Sequence, residues 1–239
     1  MEKETWKQKL KEQAGNSNTI LKEEQLEMFY NYMEILKKWN EKMNLTAITE
    51  DYEILQKHFI DSLTITPYLE NNASIIDVGT GAGFPGIPVK IAKQNVSITL
   101  IDSLAKRINF LNEVIKTLEL SNITTHHVRA EEAGKNKKLR EQFDIAVSRA
   151  VAPLATLVEY LLPFVKIGGK CICMKANKGE EIENSKTAIS TLGGEIEAIK
   201  EFTLPSSDIK RTLIIIKKAK ETPSSYPRKA GTPSKQPIQ

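Results

Sequence analysis

The sequence predicts an α/β fold: a seven-stranded, mostly parallel sheet whose last strand runs antiparallel, preceded by a helical extension. Three observations carry that prediction. The first seventy residues place apolar side chains at helical spacing and show no strand pattern. From Ser74 onward, short β-branched runs alternate with amphipathic stretches, the texture of a parallel sheet covered on both faces. Between the sixth and seventh candidate strands lies only PSSDIKR, too short for a parallel crossover and suited to an antiparallel hairpin.

Taken in order, Leu26, Phe29, Met33, Leu36 and Met43 recur on one helical face, with Ser17 or Asn18 placed to cap the start. A second helix covers much of EILQKHFIDSLTITPYL. Candidate strands are SIIDV (74–78), SITLID (97–102), ITTHHV (123–128), FDIAVS (143–148), KCICMK (170–175), EIEAIKEFTL (195–204) and TLIIIKK (212–218). Among the intervening helices the clearest is LAKRINFLNEVIKTLEL, where Leu104, Ile108, Leu111, Ile115 and Leu118 form one stripe. The last twenty residues, KETPSSYPRKAGTPSKQPIQ, are rich in proline, serine and basic residues and are expected to add nothing to a core. The chain thus divides into a helical extension (1–72), a sheet domain (73–218) and a basic tail (219–239).

Composition narrows the class. The 239 residues are 40% hydrophobic and 27% charged, ordinary for a globular protein, and no apolar run approaches the roughly 18 residues of a membrane span. The opening MEKETWKQKL lacks the apolar centre of a secretory signal, so a cytoplasmic protein without membrane contact is expected. Cys171 and Cys173 are two apart in an apolar strand, where they share a face; buried thiols are expected, with no metal. Residues 205–239 carry eight Lys/Arg against two Asp/Glu, a local basic bias that points to phosphates.

The stretch IIDVGTGAGFPGIPVKIA (75–92) joins the first strand to a helix through four glycines. Two patterns overlap there. Gly81-x-Gly83-x-x-Gly86 fits a dinucleotide fingerprint, whereas Gly79-x-Gly81-x-Gly83 with Asp77 before it fits the loop of class I S-adenosylmethionine (SAM) methyltransferases. Glycine lets the backbone take positive φ and approach a ligand in either case, so the loop alone does not decide. The terminal hairpin does: parallel strands ending in an antiparallel pair are the class I methyltransferase architecture, Rossmann-like but distinct from the usual dinucleotide fold.

Ligands of such sheets bind at the carboxyl ends of the strands, and the residues there form a set. Asp77 offers acceptors toward the ammonium side of SAM, and the Gly79–Gly83 backbone approaches its methionine part. Asp102, 19 residues beyond Gly83, is placed to accept hydrogen bonds from a ribose diol, as an acid there also does for NAD. Ala130 and Glu131 follow the third strand and face the adenine edge. Ser148 and Arg149 follow the fourth, at the mouth where cofactor and substrate meet, which makes Arg149 the candidate catalytic residue.

These segments carry a family resemblance. DVGTGAGFPGIPVKI, FDIAVSRAVAPL and the terminal YPRKAGTPSKQPI, with WNEKMNLTAIT and HFIDSL upstream, resemble the RsmG family, also called GidB, of bacterial 16S ribosomal RNA guanine-N7 methyltransferases. The resemblance spans nearly the whole chain, and its Phe-Pro-Gly and Pro-Arg-Lys-x-Gly motifs are more specific than a glycine loop. It implies SAM bound by Gly79, Phe84, Ala130, Glu131 and Arg149, with a single guanine in a small-subunit rRNA loop near the decoding site as target, on free 16S rRNA or the subunit.

The residues agree with that chemistry. Guanine N7 presents a lone pair without first losing a proton, so no general base is demanded. After the fourth strand the chain has neither the Asn/Asp-Pro-Pro-aromatic sequence of amine methyltransferases nor the Pro-Cys of enzymes that attack cytosine. Catalysis is then alignment and charge placement. For RNA, Lys106, Arg107, Arg129, Lys135, Lys137, Lys138 and Arg140 flank strand ends, and Arg228, Lys229 and Lys235 sit in a tail that prolines hold extended. Phe84, Arg149 and Tyr226 are candidates for stacking on an unpaired base. Two other readings compete: an NAD-dependent oxidoreductase, which lacks a clear Tyr-x-x-x-Lys pair, and a non-catalytic RNA-binding assembly factor on the same fold.

Overall fold

Two helices, Lys3–Asn16 and Glu23–Met43, begin the chain in the computed structural model, which describes residues 1–149, 151–176 and 180–239. Ser17 and Asn18 do not cap the second helix, as the sequence suggested; they end the first. The Ser17 N–H donates to Ala14 O at 3.0 Å and Asn18 takes φ +57°, a left-handed conformation that asparagine tolerates and that stops a helix. The second helix is opened instead by Lys22, whose N–H donates to the Gln25 side chain at 2.8 Å. The next helical stretch runs Asp51–Ile54, widens into a π-helical turn over Leu55–Ile60 and ends at Asp61–Leu63. Such turns concentrate at functional sites, and this one holds His58.

The seven strands are β1 (Ser74–Val78), β2 (Ser97–Asp102), β3 (Ile123–His127), β4 (Phe143–Arg149), β5 (Val165–Lys175), β6 (Gly194–Thr203) and β7 (Lys210–Lys218). Their order is β3-β2-β1-β4-β5-β7-β6. β1 to β5 run parallel, and β7 is antiparallel to both neighbours. β5 starts five residues before the expected KCICMK, because the register against β4 slips around Gly168 and Gly169, which dilute the strand pattern. The chain therefore reverses direction across the sheet at β1, leaving a crevice between the ends of β1, β2 and β4.

One face of the sheet is covered by the N-terminal helices: Trp6, Phe29, Tyr32 and Phe59, all fully buried, share a cluster with Ile75, Leu100 and Phe110. The other face packs Ile76 and Ala146 against Leu157, Val158 and Leu161 of the helix Leu154–Leu161. Cys171 and Cys173 lie on that second face, free and buried; burial pushes the Cys173 thiol up to about 12 and Cys171 upward too, so both are inert. Among the described residues no helix is long and apolar enough to cross a membrane, and no group of three or more His, Cys, Asp or Glu could hold a metal ion.

The C-terminal segment departs from expectation. It is not a solvated tail: Thr222, Pro227 and Pro233 are buried, and the Thr156 hydroxyl donates to Pro233 O at 3.0 Å. Arg140 clasps its backbone, donating to Tyr226 O at 2.8 Å and Thr222 O at 2.6 Å. The segment is thus folded by charged and hydroxyl groups far away in the chain, which local composition does not register.

Candidate active site

β1 delivers the chain into the crevice through the glycine loop. Gly79, Gly81 and Gly83 all have positive φ, yet their surroundings differ. A Cβ on Gly83 would meet Tyr32 Oη at 2.6 Å and Ile87 Cδ1 at 2.7 Å, so this glycine serves the fit of loop against helix. Gly81, at φ +62°, has nothing of the described residues within 4 Å of where a Cβ would stand. Its open side faces a cleft of about 810 Å³, a volume that suits a cofactor with part of a substrate. The loop is held from below: Asp77 Oδ2 accepts from Thr80 Oγ1 at 2.6 Å and from Gly86 N at 2.8 Å. Asp77 itself is fully buried, its Oδ1 has no partner among the described residues, and burial lifts its carboxyl to about 6 despite those two bonds. It braces the loop rather than lining the cleft.

The other strand-end residues meet around the same space. Asp102, at the end of β2, accepts from Gly81 N and Leu104 N, both at 2.9 Å, and pairs with Arg107 at 3.2 Å. One carboxylate therefore ties the glycine loop to the neighbouring strand end. Ala130 and Glu131 line the cleft beyond β3, and Glu131 Oε1 accepts from Gly231 N at 2.8 Å, which brings the C-terminal segment to the cleft wall. Ser148 is buried and donates to Val78 O at 2.8 Å, a structural bond between β4 and β1. Ala150 of the following SRAVAPL segment lies outside the described residues.

Arg149 does reach the cleft, but in company that the strand pattern did not reveal. Its Nη1 donates to Lys57 O at 2.8 Å and pairs with Asp61 at 3.2 Å, while Nη2 donates to His58 Nδ1 at 3.0 Å. Its guanidinium lies 4.9 Å from the Phe84 ring, on which His58 also stacks at 4.4 Å. Phe84 is thereby a buried platform inside the wall, not an exposed surface for a base. Arg211 of β7 takes the other oxygen of Asp61 at 2.9 Å. Burial and the neighbouring Arg149 hold His58 neutral, lowering it to about 3. His58, Asp61, Thr46 and Arg211 were not among the predicted site residues, although WNEKMNLTAIT and HFIDSL carry three of them. The available signal was His58-x-x-Asp61: two ionisable groups one helical turn apart in an otherwise apolar stretch.

The predicted RNA residues separate. Arg228 is taken by Glu159, and Arg140 by the tail backbone. Lys229 and Lys235 stand exposed with no ion pair among the described residues, as do Lys106, Lys135, Lys137, Lys138 and Arg129. Among the predicted RNA residues that are described, the exposed cations without an ion pair therefore follow β2 (Lys106) and β3 (Arg129, Lys135, Lys137 and Lys138) in the chain or lie on the tail (Lys229 and Lys235).

Comparison with known proteins fits this geometry. The family model described as rRNA small subunit methyltransferase G, GidB, matches residues 25–213. Ribosomal RNA small subunit methyltransferase G of Acetivibrio thermocellus is 57% identical over 228 residues, covering 95% of this chain and 94% of that protein. Its namesake from Bacillus cytotoxicus is 51% identical, covering 94% and 95%. Among solved structures, TYW2 of M. jannaschii in complex with AdoMet superimposes with a TM-score of 0.52 at 14% identity, over 66% of this chain and 74% of that one. The YcgJ protein of Bacillus subtilis gives 0.54 at 12% identity, over 68% and 100%; at such identities the likeness is one of fold. On the family match and the near-full-length relatives together, the chain belongs to the GidB family, that of rRNA small subunit methyltransferase G.

Proposed function

We propose that the protein is a SAM-dependent methyltransferase that modifies N7 of a guanine in the 16S rRNA of the small ribosomal subunit. The observation that carries this reading is the cradle at Gly81: a left-handed glycine, tied by its N–H to Asp102 and open on its other side to the cleft. Gly79, Gly81 and the Asp102, Ala130 and Glu131 wall are the residues that would hold the cofactor, with Asp102 toward a diol and Glu131 toward an amino edge. When bound there, SAM supplies an electrophilic methyl group on a sulfonium.

The chain's own residues then have little proton chemistry to perform. Among the described residues three carboxylates line the cleft, and each already holds protein donors: Asp61 two arginines, Asp102 two backbone N–H groups and Arg107, Glu131 the Gly231 N–H. His58 is neutral with both ring nitrogens hydrogen-bonded. An acceptor that needs no deprotonation suits such a site, and guanine N7 is one. The residues act by excluding water and fixing the acceptor in line. Lys229 and Lys235 would add backbone phosphate contacts from the tail surface. The cytoplasm, where ribosomes assemble, is the compartment this reading requires.

The test is methyl transfer from isotope-labelled SAM to small subunits and to free rRNA from cells lacking the protein, followed by cleavage chemistry selective for N7-methylguanine. Label at one N7-methylated guanine is expected. Label at another base atom, or none in either RNA, would refute the reading.

A further inference from the structure

Arg149, His58 and Thr46 form a hydrogen-bonded row whose polarity is fixed from one end. An arginine only donates, so His58 Nδ1, 3.0 Å from Arg149 Nη2, must accept. His58 is neutral, which leaves its one proton on Nε2, and Nε2 lies 2.9 Å from Thr46 Oγ1. Thr46 Oγ1 therefore accepts from His58. It also accepts from Ile48 N at 3.0 Å, so both of its lone pairs are engaged. The hydroxyl hydrogen remains, and it has no acceptor among the described residues. Thr46 is partly exposed and borders both the main cleft and a second hollow of about 430 Å³. Its backbone cannot swing away, because the Asn40 side chain grips it twice, accepting from Thr46 N and donating to Thr46 O, each at 2.9 Å. Here is a hydroxyl that can donate into the cleft but has no lone pair left to accept.

Its position says what it meets. β2 and β4 flank β1 on opposite sides, so Asp102 and Arg149 mark opposite halves of the cleft. Thr46 joins the Arg149 half, away from the diol side. Guanine presents two acceptors side by side on one edge, N7 and O6, where adenine presents N7 beside an amino donor. We propose that Thr46 is a specificity-determining residue, donating its hydroxyl hydrogen to O6 of the guanine whose N7 is methylated; this rests on the guanine-N7 reading above. A hydroxyl that cannot accept leaves the adenine amino group unpaired, so the same atom rejects adenine.

The experiment uses the full-length protein and a small-subunit rRNA fragment with either guanine or 2-aminopurine, which lacks O6, at the mapped target position. Wild-type methylation of the guanine fragment at N7 establishes the underlying reading, and its failure would fall on that reading alone. Thr46→Val, which also takes the acceptor from His58 Nε2–H and Ile48 N–H, should lower kcat/KM on guanine RNA by about 10- to 100-fold more than on 2-aminopurine RNA, the share owed to the O6 hydrogen bond. Thr46→Ser, which keeps the hydroxyl, should restore most of the rate. Calorimetric affinity for S-adenosylhomocysteine should be equal in all three proteins. On 2-aminopurine RNA, wild type should already be slow and Thr46→Val should lower the rate little further. Three results would each overturn the proposal: no loss with Thr46→Val, the same fractional loss on both RNAs, or a parallel loss of S-adenosylhomocysteine affinity.

Discussion

Arg228 grips both oxygens of a fully buried carboxylate, Glu159, with Nε 3.0 Å from Oε1 and Nη2 2.6 Å from Oε2. The Arg228 N–H adds a third bond to Oε1 at 2.8 Å. A tail arginine that composition assigns to RNA is thus the counter-ion of the helix Leu154–Leu161. Arg228→Ala would leave Glu159 charged and unpaired in the interior, and unfolding in urea should show a loss of about 3–5 kcal/mol. Arg228→Ala with Glu159→Gln should recover part of it, because the orphaned charge is gone. Since Gly231 N–H holds Glu131 at the cleft wall, the single variant should also bind SAM more weakly. Wild-type stability in Arg228→Ala would show that the pair carries no weight.

Gly81 separates ligand contact from folding. Its φ of +62° penalises any side chain by roughly 1–2 kcal/mol, yet no atom of the described residues stands where a Cβ would go. Gly81→Val should keep a cooperative thermal transition, lowered modestly, while SAM affinity measured by calorimetry falls by more than about tenfold, as a branched side chain enters the cleft. Gly83→Val is the contrast: its Cβ would strike Tyr32 and Ile87, so the fold itself should suffer. Unchanged SAM affinity in Gly81→Val would place the cofactor elsewhere.

The acid limb of stability should report His58. Its ordinary value of 6.5 falls to about 3 in the fold through burial and the adjacent Arg149, so the unfolded chain binds the proton more readily. By linkage this contribution is full above pH 6.5 and is lost as pH drops toward 3, on the order of a few kcal/mol in all. Asp77 has the opposite sign. Raised from 3.8 to about 6, it favours the fold below the lower value and loses that advantage as pH rises through the upper one. His58→Gln should therefore flatten the decline of melting temperature below pH 6.5. An identical acid profile in the variant would mean that His58 does not titrate as its surroundings dictate.

How far the sequence foretold this site follows from which atoms do the holding. Asp102 and Arg149 were legible because each stands at the end of a strand whose apolar pattern and length fix where it stops. The hairpin of β6 and β7 was legible from the short PSSDIKR segment between the two candidate strands. The wall around Arg149 was not: Thr46 comes from the loop after the second helix, His58 and Asp61 from the next helical stretch and Arg211 from the far hairpin, and no local period links them. The tail failed for the same reason, since Arg228 finds Glu159 69 positions away and Gly231 finds Glu131 100 away. Composition reads a segment's own residues, whereas docking is decided by buried charges on others.

Arg149 is where the predicted role meets surroundings that the sequence did not show. The sequence placed it at the mouth where cofactor and substrate meet, as the candidate catalytic residue and a candidate for stacking on a base. In the fold its side chain is 15% exposed, and three of its N–H groups are engaged by Lys57 O, Asp61 and His58. We therefore expect a positioning residue that fixes the His58 and Thr46 row and shares Asp61 with Arg211. Lysine keeps the charge but cannot span three partners at once. Arg149→Ala should lower stability by about 1–3 kcal/mol, with Asp61 still paired to Arg211, and should slow methyl transfer on the order of 100-fold through misalignment. Arg149→Lys should recover the Asp61 pairing and most of the stability, but little of the rate. If the guanidinium instead holds the methionine carboxylate, Lys will retain clearly more SAM affinity than Ala; on the positioning role the two bind alike. Single-turnover rates, urea unfolding and calorimetry on the same three proteins decide it, and an Arg149→Ala enzyme that methylates its RNA at the wild-type rate would remove this residue from the reaction centre altogether.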